Sequence, residues 1–243
     1  MTVELKCFGS EHGHWCFIDH KGLEGCSVVS GGVGEDMSFD VDFASEYNAT
    51  IILYDPTPRS IKHFEVVSEN FGKESTTDYV SGGNQPVESY DLSNLTSDNF
   101  VYRKYALWNE NSKVKFFKPM NENYVSHSIN NIHKKYNIDD KDFIEVDSIK
   151  LSDEIKTMDK FPSLLKLDIE GAALEVLEDL FSESIFVNQI CIEYDEQNSP
   201  GKISSDRISR MNKLFEDNNY QCVHRNGSDY LFVNNDFLDS IVK

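Results

Sequence analysis

A short apolar run that ends in two carboxylates and continues into a helix lies at residues 164–177. The run reads LLKL, Asp168 and Glu170 follow it, and after Gly171 apolar residues recur at helical spacing. This pattern predicts a buried strand that delivers two acids to its carboxyl end, which is where ligands bind in open α/β sheets. It also fits a plain acidic turn in which Glu170 favours the helix N-terminus, so it does not define a site alone.

A glycine-rich turn far upstream, in the segment CSVVSGGVGED, makes a ligand site the better interpretation. A strand runs into Gly31, Gly32 and Gly34, and a helix is predicted to begin near residues 35–36. Glycine permits positive φ and lets a ligand approach the backbone. The next strand, TIILY, ends at Asp55, where an acid is placed to bind ribose hydroxyls. The chain therefore predicts a nucleoside-cofactor fold, with either NAD or S-adenosylmethionine as the cofactor.

Composition narrows the classes of function. The chain has 243 residues, of which 39% are hydrophobic, and this suits one α/β domain over residues 1–243. With 23 basic and 42 acidic residues the net charge is −19, which disfavours nucleic acid as a partner and favours a cationic cofactor. No apolar run is long enough for a membrane span, and no secretory signal is visible. We therefore expect a cytoplasmic protein.

The five cysteines are scattered and contain no C-x-x-C motif. Cys26, Cys191 and Cys222 lie in apolar, strand-like segments, and we expect them to be buried thiols. Such use of cysteine suits a reducing compartment.

Two insertions and a terminal hairpin complete the predicted organisation. A polar segment at about 72–98 predicts a long loop. A second segment at about 113–130 predicts a small antiparallel insertion, in which residues 124–129 pair with residues 113–117. A helix is expected from about Ser148. Near the C-terminus, Asn226-Gly227 between two strand-like runs is a strong hairpin signal.

The glycine turn departs from the dinucleotide-binding pattern. The third glycine of that pattern is replaced by Met37. A mostly parallel sheet that ends in an antiparallel hairpin is also unusual for NAD-binding folds. Both features favour S-adenosylmethionine over NAD.

Four motifs, in this order, resemble the FkbM-type methyltransferase family: VVSGGVGED, LYDPTP, YAL and LKLDIEGA. The resemblance runs from about Gly25 to Val233. It implies an α/β, Rossmann-like fold with a seven-stranded, mostly parallel sheet, helices on both faces and a C-terminal antiparallel hairpin. Two departures from the family pattern stand out. Ala173 replaces an acid that is usual after Gly-Ala, and the first motif begins with Ser30 where the family usually has an acid.

The resemblance implies methyl transfer from S-adenosylmethionine to a hydroxyl of a sugar, a glycan or a similar small metabolite. It also implies the cofactor contacts, which are Ser30, Gly31, Gly32, Gly34, Glu35, Asp36, Asp55, Pro56, Thr57, Tyr105, Ala106, Leu107 and Asp168. Within that set, Asp55 would hold the ribose, residues 105–107 would line the adenine, and Asp168 would lie beside the methyl group.

An alcohol is a poor nucleophile at neutral pH, so a base should take its proton. The predicted catalytic residues are Asp168, Glu170 and His127. We expect no dedicated metal ligands, although Asp168, Glu193 and Asp195 offer oxygen ligands for Mg²⁺ as a minority alternative. An aromatic such as Tyr124 can stack on a sugar ring or simply pack locally.

Two other functions remain open from the sequence. One is an NAD-dependent oxidoreductase. The other is a non-catalytic module that binds a glycan or a protein, which the replacement at Ala173 keeps in view.

Overall fold

The structure is a computed structural model and describes residues 3–119, 124–130, 142–198 and 201–241. The strands are β1 (Leu5–Phe8), β2 (Trp15–Ile18), β3 (Ser27–Gly31), β4 (Thr50–Tyr54), β5 (Phe100–Arg103), β6 (Ala106–Trp108), β7 (Lys113–Phe117), β8 (Phe143–Lys150), β9 (Pro162–Leu167), β10 (Gln189–Glu193), β11 (Tyr220–Asn226) and β12 (Asp229–Asn234). The helices are α1 (Ser38–Tyr47), α2 (Pro58–Ser68), α3 (Leu151–Thr157), α4 (Ala173–Ser182), α5 (Lys202–Asp217) and α6 (Asn235–Ile241).

A seven-stranded sheet in the order β11-β12-β10-β9-β3-β4-β5 forms the centre of the fold. The pairs from β10 through β5 are parallel, whereas β12 is antiparallel to both β10 and β11. The mixed α/β class and the mostly parallel seven-stranded sheet agree with the sequence prediction. The two motifs that define the predicted site lie at the middle of this sheet, because β3 pairs directly with β9.

Burial explains why β3 and β9 read as almost continuous apolar runs. Every residue of β3 is buried, as are five of the six residues of β9. Strands of a parallel sheet that is covered on both faces lose the alternation of a half-exposed strand. On one side the core contains a cluster of aromatic rings around Phe17 and Phe43. Another cluster packs leucines of β9 against α4.

A second sheet of three strands, in the order β6-β8-β7, contains the predicted small insertion. The expected pairing of 113–117 with 124–129 is wrong as a ladder, since β7 pairs antiparallel with β8 and meets the later segment only at a Phe117–Ser128 bridge. The helix expected from Ser148 begins at Leu151 instead. The cause is the alternation of Ile144, Val146 and Ser148, which has the period of a strand.

An N-terminal hairpin that the sequence did not predict pairs β1 with β2. Cys7 and Cys16 face each other across it and form a disulfide, so the expectation of thiols does not extend to this pair. Cys26 and Cys191 are buried thiols, as predicted. Cys222 is exposed, contrary to the prediction, because β11 is the edge strand of the central sheet.

Across the described ranges, no helix is long and apolar enough to cross a membrane.

Candidate active site

A cavity of about 550 Å³ lies where the carboxyl ends of β3, β4, β9 and β10 meet. Most of the predicted site residues line it, namely Gly32, Gly34, Glu35, Asp36, Asp55, Pro56, Thr57, Tyr105, Ala106, Leu107, His127, Asp168 and Glu170. Ser30 and Gly31 do not. Ser30 is fully buried in β3, and a Cβ atom on Gly31 would lie 2.8 Å from the Leu107 side chain. The structure therefore brings together residues that lie far apart in sequence.

The glycine turn contacts the acidic turn directly. Gly32 has φ of +78°, and a Cβ atom there would lie 1.6 Å from the carbonyl oxygen of Asp168. The Asp168 amide donates to the carbonyl of Gly31 at 3.0 Å. Glycine at position 32 is thus required both by backbone conformation and by the closeness of the second strand.

Asp55 holds the glycine turn in place. Its Oδ2 accepts hydrogen bonds from the amides of Val33 (3.1 Å) and Gly34 (2.9 Å). Its Oδ1 accepts from the amide and the hydroxyl of Thr57 at 2.8 and 2.7 Å. A carboxylate has about four acceptor positions, and these contacts use them. The ribose contact predicted for Asp55 stays a prediction, and it competes with these hydrogen bonds.

Asp36 joins three segments at the rim of the cavity. Its carboxylate accepts from the Ser10 hydroxyl at 2.6 Å, the Ser38 amide at 3.0 Å and the Gln85 amide group at 3.3 Å. The first contact comes from the β1–β2 hairpin and the second from the start of α1. Asp36 therefore fixes the position of the hairpin loop relative to the glycine turn.

The acidic turn after β9 is held from several directions. Glu170 and Gly171 both have positive φ, at 50° and 82°. The Glu170 carbonyl accepts from the Ser128 hydroxyl at 2.6 Å, and the Gly171 carbonyl accepts from Arg207 at 2.7 Å. The Gly171 amide donates to the Asp195 carboxylate at 2.7 Å. These contacts give the turn its shape, so the directions of Asp168 and Glu170 depend on segments on either side of it.

Four acidic side chains, those of Asp168, Glu193, Asp195 and Asp229, lie on one side of the cavity. Burial, followed by the neighbouring Glu193, raises the pKa of Asp168 well above its usual range. Burial is also the main cause that raises the pKa of Glu193 and of Asp195. Burial and then Asp168 raise the pKa of Asp229 to about 6. This side of the cavity suits a cation or a neutral ligand better than an anion.

His127 lines the cavity from the segment between β7 and β8. Its ring stacks on Phe116 with centroids 5.8 Å apart, and its Nδ1 lies 2.8 Å from the carbonyl oxygen of Val125. A carbonyl only accepts, so Nδ1 carries the proton and Nε2 of the neutral ring has a free lone pair. Burial lowers the pKa of His127 below its usual value. The ring is therefore neutral at pH 7 and able to accept a proton.

The Mg²⁺ alternative finds no support in the geometry. Within the described parts of the chain, Asp168, Glu193 and Asp195 do not form a compact group of three ligand atoms. The compact group found there is Cys7, His14 and Cys16, outside the cavity. These acidic side chains line the cavity without forming a set of metal ligands.

Several cavity residues were missed by the sequence interpretation. Lys166 is buried in β9, donates to the Gly32 carbonyl at 2.8 Å and lies over the Trp15 ring at 5.5 Å. Asp229 also lines the cavity. A lysine inside an apolar strand was a usable signal, because a buried ammonium needs partners.

A mostly parallel α/β sheet with a cavity at the carboxyl ends of its strands is the arrangement in which open α/β proteins bind their ligands. The sequence profile described as the methyltransferase FkbM domain matches residues 45–222. The chain belongs to this family, as the sequence motifs predicted. The hairpin residues that line the cavity precede the matched segment, and Asp229 follows it.

Matches to individual proteins do not narrow the function further. No curated protein matches the chain. Among solved structures, one match is described as the crystal structure of monomeric WbdD, with 12% sequence identity and a TM-score of 0.44. The match covers 86% of this chain and 36% of that one, so the chain spans about a third of its length.

Proposed function

We propose that this chain is an S-adenosylmethionine-dependent O-methyltransferase that acts on a hydroxyl of a sugar, a glycan or a similar small metabolite. The observation that supports it most is the contact between Gly32 and Asp168, which brings the glycine turn and the acidic turn of the matched domain into one cavity. The cavity, at about 550 Å³, has the size of an ordinary small-molecule site. A single domain over residues 1–243, a Rossmann-like arrangement and a cytoplasmic location remain predictions that go with this proposal.

The residues around the glycine turn fit the cofactor. Gly34 is not crowded by the fold, since a Cβ atom there would make an ordinary contact of 3.7 Å with Val125. Ala106 and Leu107 provide an apolar wall for a purine ring. The carboxyl oxygens around Asp168 carry partial negative charge even when protonated, and this favours a sulfonium. When bound, S-adenosylmethionine would supply an electrophilic methyl group.

Of the three predicted catalytic residues, His127 best fits the role of base. The neutral ring with its lone pair on Nε2 can accept the proton of an acceptor hydroxyl. Asp168 lies deeper, and the raised pKa of its carboxyl disfavours the ionised form. In this proposal Asp168 orients the reacting groups, His127 takes the proton, and Glu170 shapes the turn through its backbone. Much of the rate would come from alignment of oxygen, carbon and sulfur.

The replacement at Ala173 leaves the cavity intact. Ala173 is 3% exposed and packs in the apolar cluster with α4. It does not line the cavity. The loss of the family's usual acid at this position therefore removes no cavity group, which favours an active enzyme over a non-catalytic module.

Calorimetric titration with S-adenosylmethionine and, separately, with NAD tests the proposal. We expect micromolar binding of S-adenosylmethionine and no binding of NAD. A panel of simple methyl glycosides and sugar-containing metabolites, assayed for transfer of a radiolabelled methyl group, then identifies the acceptor class. Binding of NAD alone would overturn the proposal. Binding of S-adenosylmethionine with no transfer to any member of the panel would count against a sugar hydroxyl.

A further inference from the structure

The disulfide of the N-terminal hairpin lies at the base of a loop that reaches the cavity. Cys7 in β1 faces Cys16 in β2, and the residues between these strands form the 9–14 loop. Glu11, His12 and Gly13 of this loop line the cavity, as does Trp15 at the start of β2. The covalent bond therefore closes the same loop that forms part of the cavity wall.

The 9–14 loop is tightly folded against the glycine turn. A Cβ atom on Gly9 would lie 2.3 Å from the Gly13 carbonyl oxygen, and one on Gly13 would lie 2.8 Å from the Asp36 carboxyl carbon. The Ser10 hydroxyl accepts from the amides of His12 and Gly13 while it donates to Asp36. A small displacement of the hairpin would therefore move both His12 and the contact with Asp36.

β1 is held by its pairing with β2 and by side-chain contacts with α1. It belongs to a two-stranded sheet with β2, its Phe8 ring lies 6.4 Å from the Phe43 ring, and its Lys6 pairs with Glu46. β2 is better anchored, because the Gln189 side chain bonds to both backbone groups of Ile18. The disulfide thus adds a covalent link between β1 and the strand that β10 anchors.

The two sulfur atoms differ in access. Cys7 is exposed, whereas Cys16 is 6% exposed. The Cys16 Sγ lies 3.9 Å from Nε2 of His14, and the ligand atoms of Cys7, His14 and Cys16 all lie within 4.8 Å of one another. An attacking thiolate can therefore reach Cys7, and a histidine is placed beside the sulfur that would leave.

We propose that Cys7 and Cys16 form a reversible thiol–disulfide site that couples the redox state of the protein to the cofactor cavity. A thiolate of a dithiol reductant attacks Cys7 Sγ and forms a mixed disulfide. The bond to Cys16 breaks, its electron pair goes to Cys16 Sγ, and that thiolate takes a proton from water or His14. The second thiol of the reductant then releases Cys7 as a thiol. Two electrons and two protons pass to the protein, and the reductant becomes a disulfide.

Reduction removes the covalent link between β1 and β2, which then stay paired through their backbones alone, and so loosens the 9–14 loop. The oxidised form is then the form with the ordered cavity wall, and the reduced form binds the cofactor more weakly. The expected change in cofactor affinity rests on the proposed function, whereas the expected change in the order of the 9–14 loop does not.

The experiment equilibrates the full chain in oxidised and reduced dithiothreitol buffers and measures two quantities. Hydrogen exchange of the peptide that contains the 9–14 loop reports on order, and calorimetry with S-adenosylmethionine reports on affinity. On reduction we expect faster exchange in the loop and a loss of affinity of about fivefold or more, the low end of ordinary coupling between sites. Alkylation and mass spectrometry should find three free thiols in the oxidised protein, at Cys26, Cys191 and Cys222.

Two variants separate the site from general effects of the buffer. Cys222→Ser removes the exposed free cysteine and should respond to reduction like the natural chain. The double variant Cys7→Ser, Cys16→Ser should resemble the reduced protein and ignore the buffer. Chemical reduction of the natural chain gives the same comparison if that double variant does not fold.

Unchanged loop exchange on reduction, or failure of Cys7 and Cys16 to cross-link in the oxidised buffer, would refute the redox site. Faster loop exchange with equal affinity in both states would refute the coupling to the cavity. If S-adenosylmethionine binds in neither state, the proposed function fails, and loop exchange still decides the redox site.

Discussion

Gly32 and Asp168 meet so closely that a single added carbon at position 32 would lie 1.6 Å from the Asp168 carbonyl oxygen. The contact joins the carboxyl ends of β3 and β9, which are neighbours in the sheet. It places the glycine turn and the acidic turn in one cavity. Both turns therefore depend on one residue that has no side chain.

Replacement of this glycine should be costly. In Gly32→Ala the methyl group clashes with backbone, which cannot rotate away, and φ of +78° adds strain. We expect a loss of about 3 kcal/mol or more in the free energy of unfolding, measured by urea denaturation. Binding of S-adenosylmethionine should be lost as well.

Gly72→Ala is the matched control. Gly72 also has positive φ, at 84°, but no atom lies within 4 Å of an added Cβ. Conformational strain alone should cost about 1 to 2 kcal/mol. Equal losses in the two variants would show that the contact with Asp168 is not the cause.

The carboxylate of Asp55 offers a second test, this time of the glycine turn. In Asp55→Asn one oxygen becomes an NH₂ group that cannot accept, so the side chain loses either the contacts to Val33 and Gly34 or the contact to the Thr57 amide. We expect the affinity for S-adenosylmethionine, measured by calorimetry, to fall about tenfold or more, the effect of about 1.4 kcal/mol.

Asp91→Asn is the control for this change. Asp91 is exposed and accepts a single local hydrogen bond from the Ser93 amide. Its replacement should leave the affinity unchanged. If Asp55→Asn binds the cofactor as well as the natural chain does, the carboxylate has no role in the cavity.

The sequence predicted the features that depend on residues close together in the chain, and it missed contacts between distant residues. The glycine turn, Asp55 and Asp168 were predicted because each follows a strand whose composition is distinctive. The four hydrogen bonds of Asp55 were not, since Val33 and Gly34 approach it only in the folded chain. A sequence pattern shows that an acid follows a strand, and the fold decides which amides it meets.

The N-terminal hairpin was not predicted for the same reason, because its position depends on contacts between residues far apart in sequence. The hairpin pairs two short strands of four residues each, with too few alternations to stand out. Its position beside β10 depends on Gln189 and Ile18, which are far apart in sequence. The strand β8 extends to Lys150, past the start of the predicted helix, because its pairing with residues 113–117 joins segments that are far apart in sequence.

The cavity carboxylates predict an unusual pH dependence of stability. The pKa of Asp229 is raised to about 6 in the folded chain, above its ordinary value of 3.8. The folded state therefore binds its proton more tightly, and this contribution to stability is lost as the pH rises through about 4 to 6. Asp229→Asn should be more stable than the natural chain at pH 7.5, by about 1 kcal/mol after solvent screening.

Urea denaturation at several pH values checks this, with Asp239→Asn, an exposed acid in α6, as the control. The advantage of Asp229→Asn should shrink as the pH falls from 6 and disappear below 3.8. An advantage that is the same at every pH would assign the effect to packing instead of charge.

The base proposed for methyl transfer can be removed without moving its neighbours. In His127→Asn the amide NH₂ takes the place of the ring Nδ1–H that donates to Val125, but the lone pair of Nε2 is gone. We expect kcat to fall about 100-fold or more, as for loss of a general base, with little change in the affinity for S-adenosylmethionine. In the natural chain the rate should decline as the pH falls below 6.5, because burial lowers the pKa of His127 from that value. Glu170→Gln, which keeps the backbone contact to Ser128, should retain most of the rate. A larger loss in Glu170→Gln than in His127→Asn would make Glu170 the base.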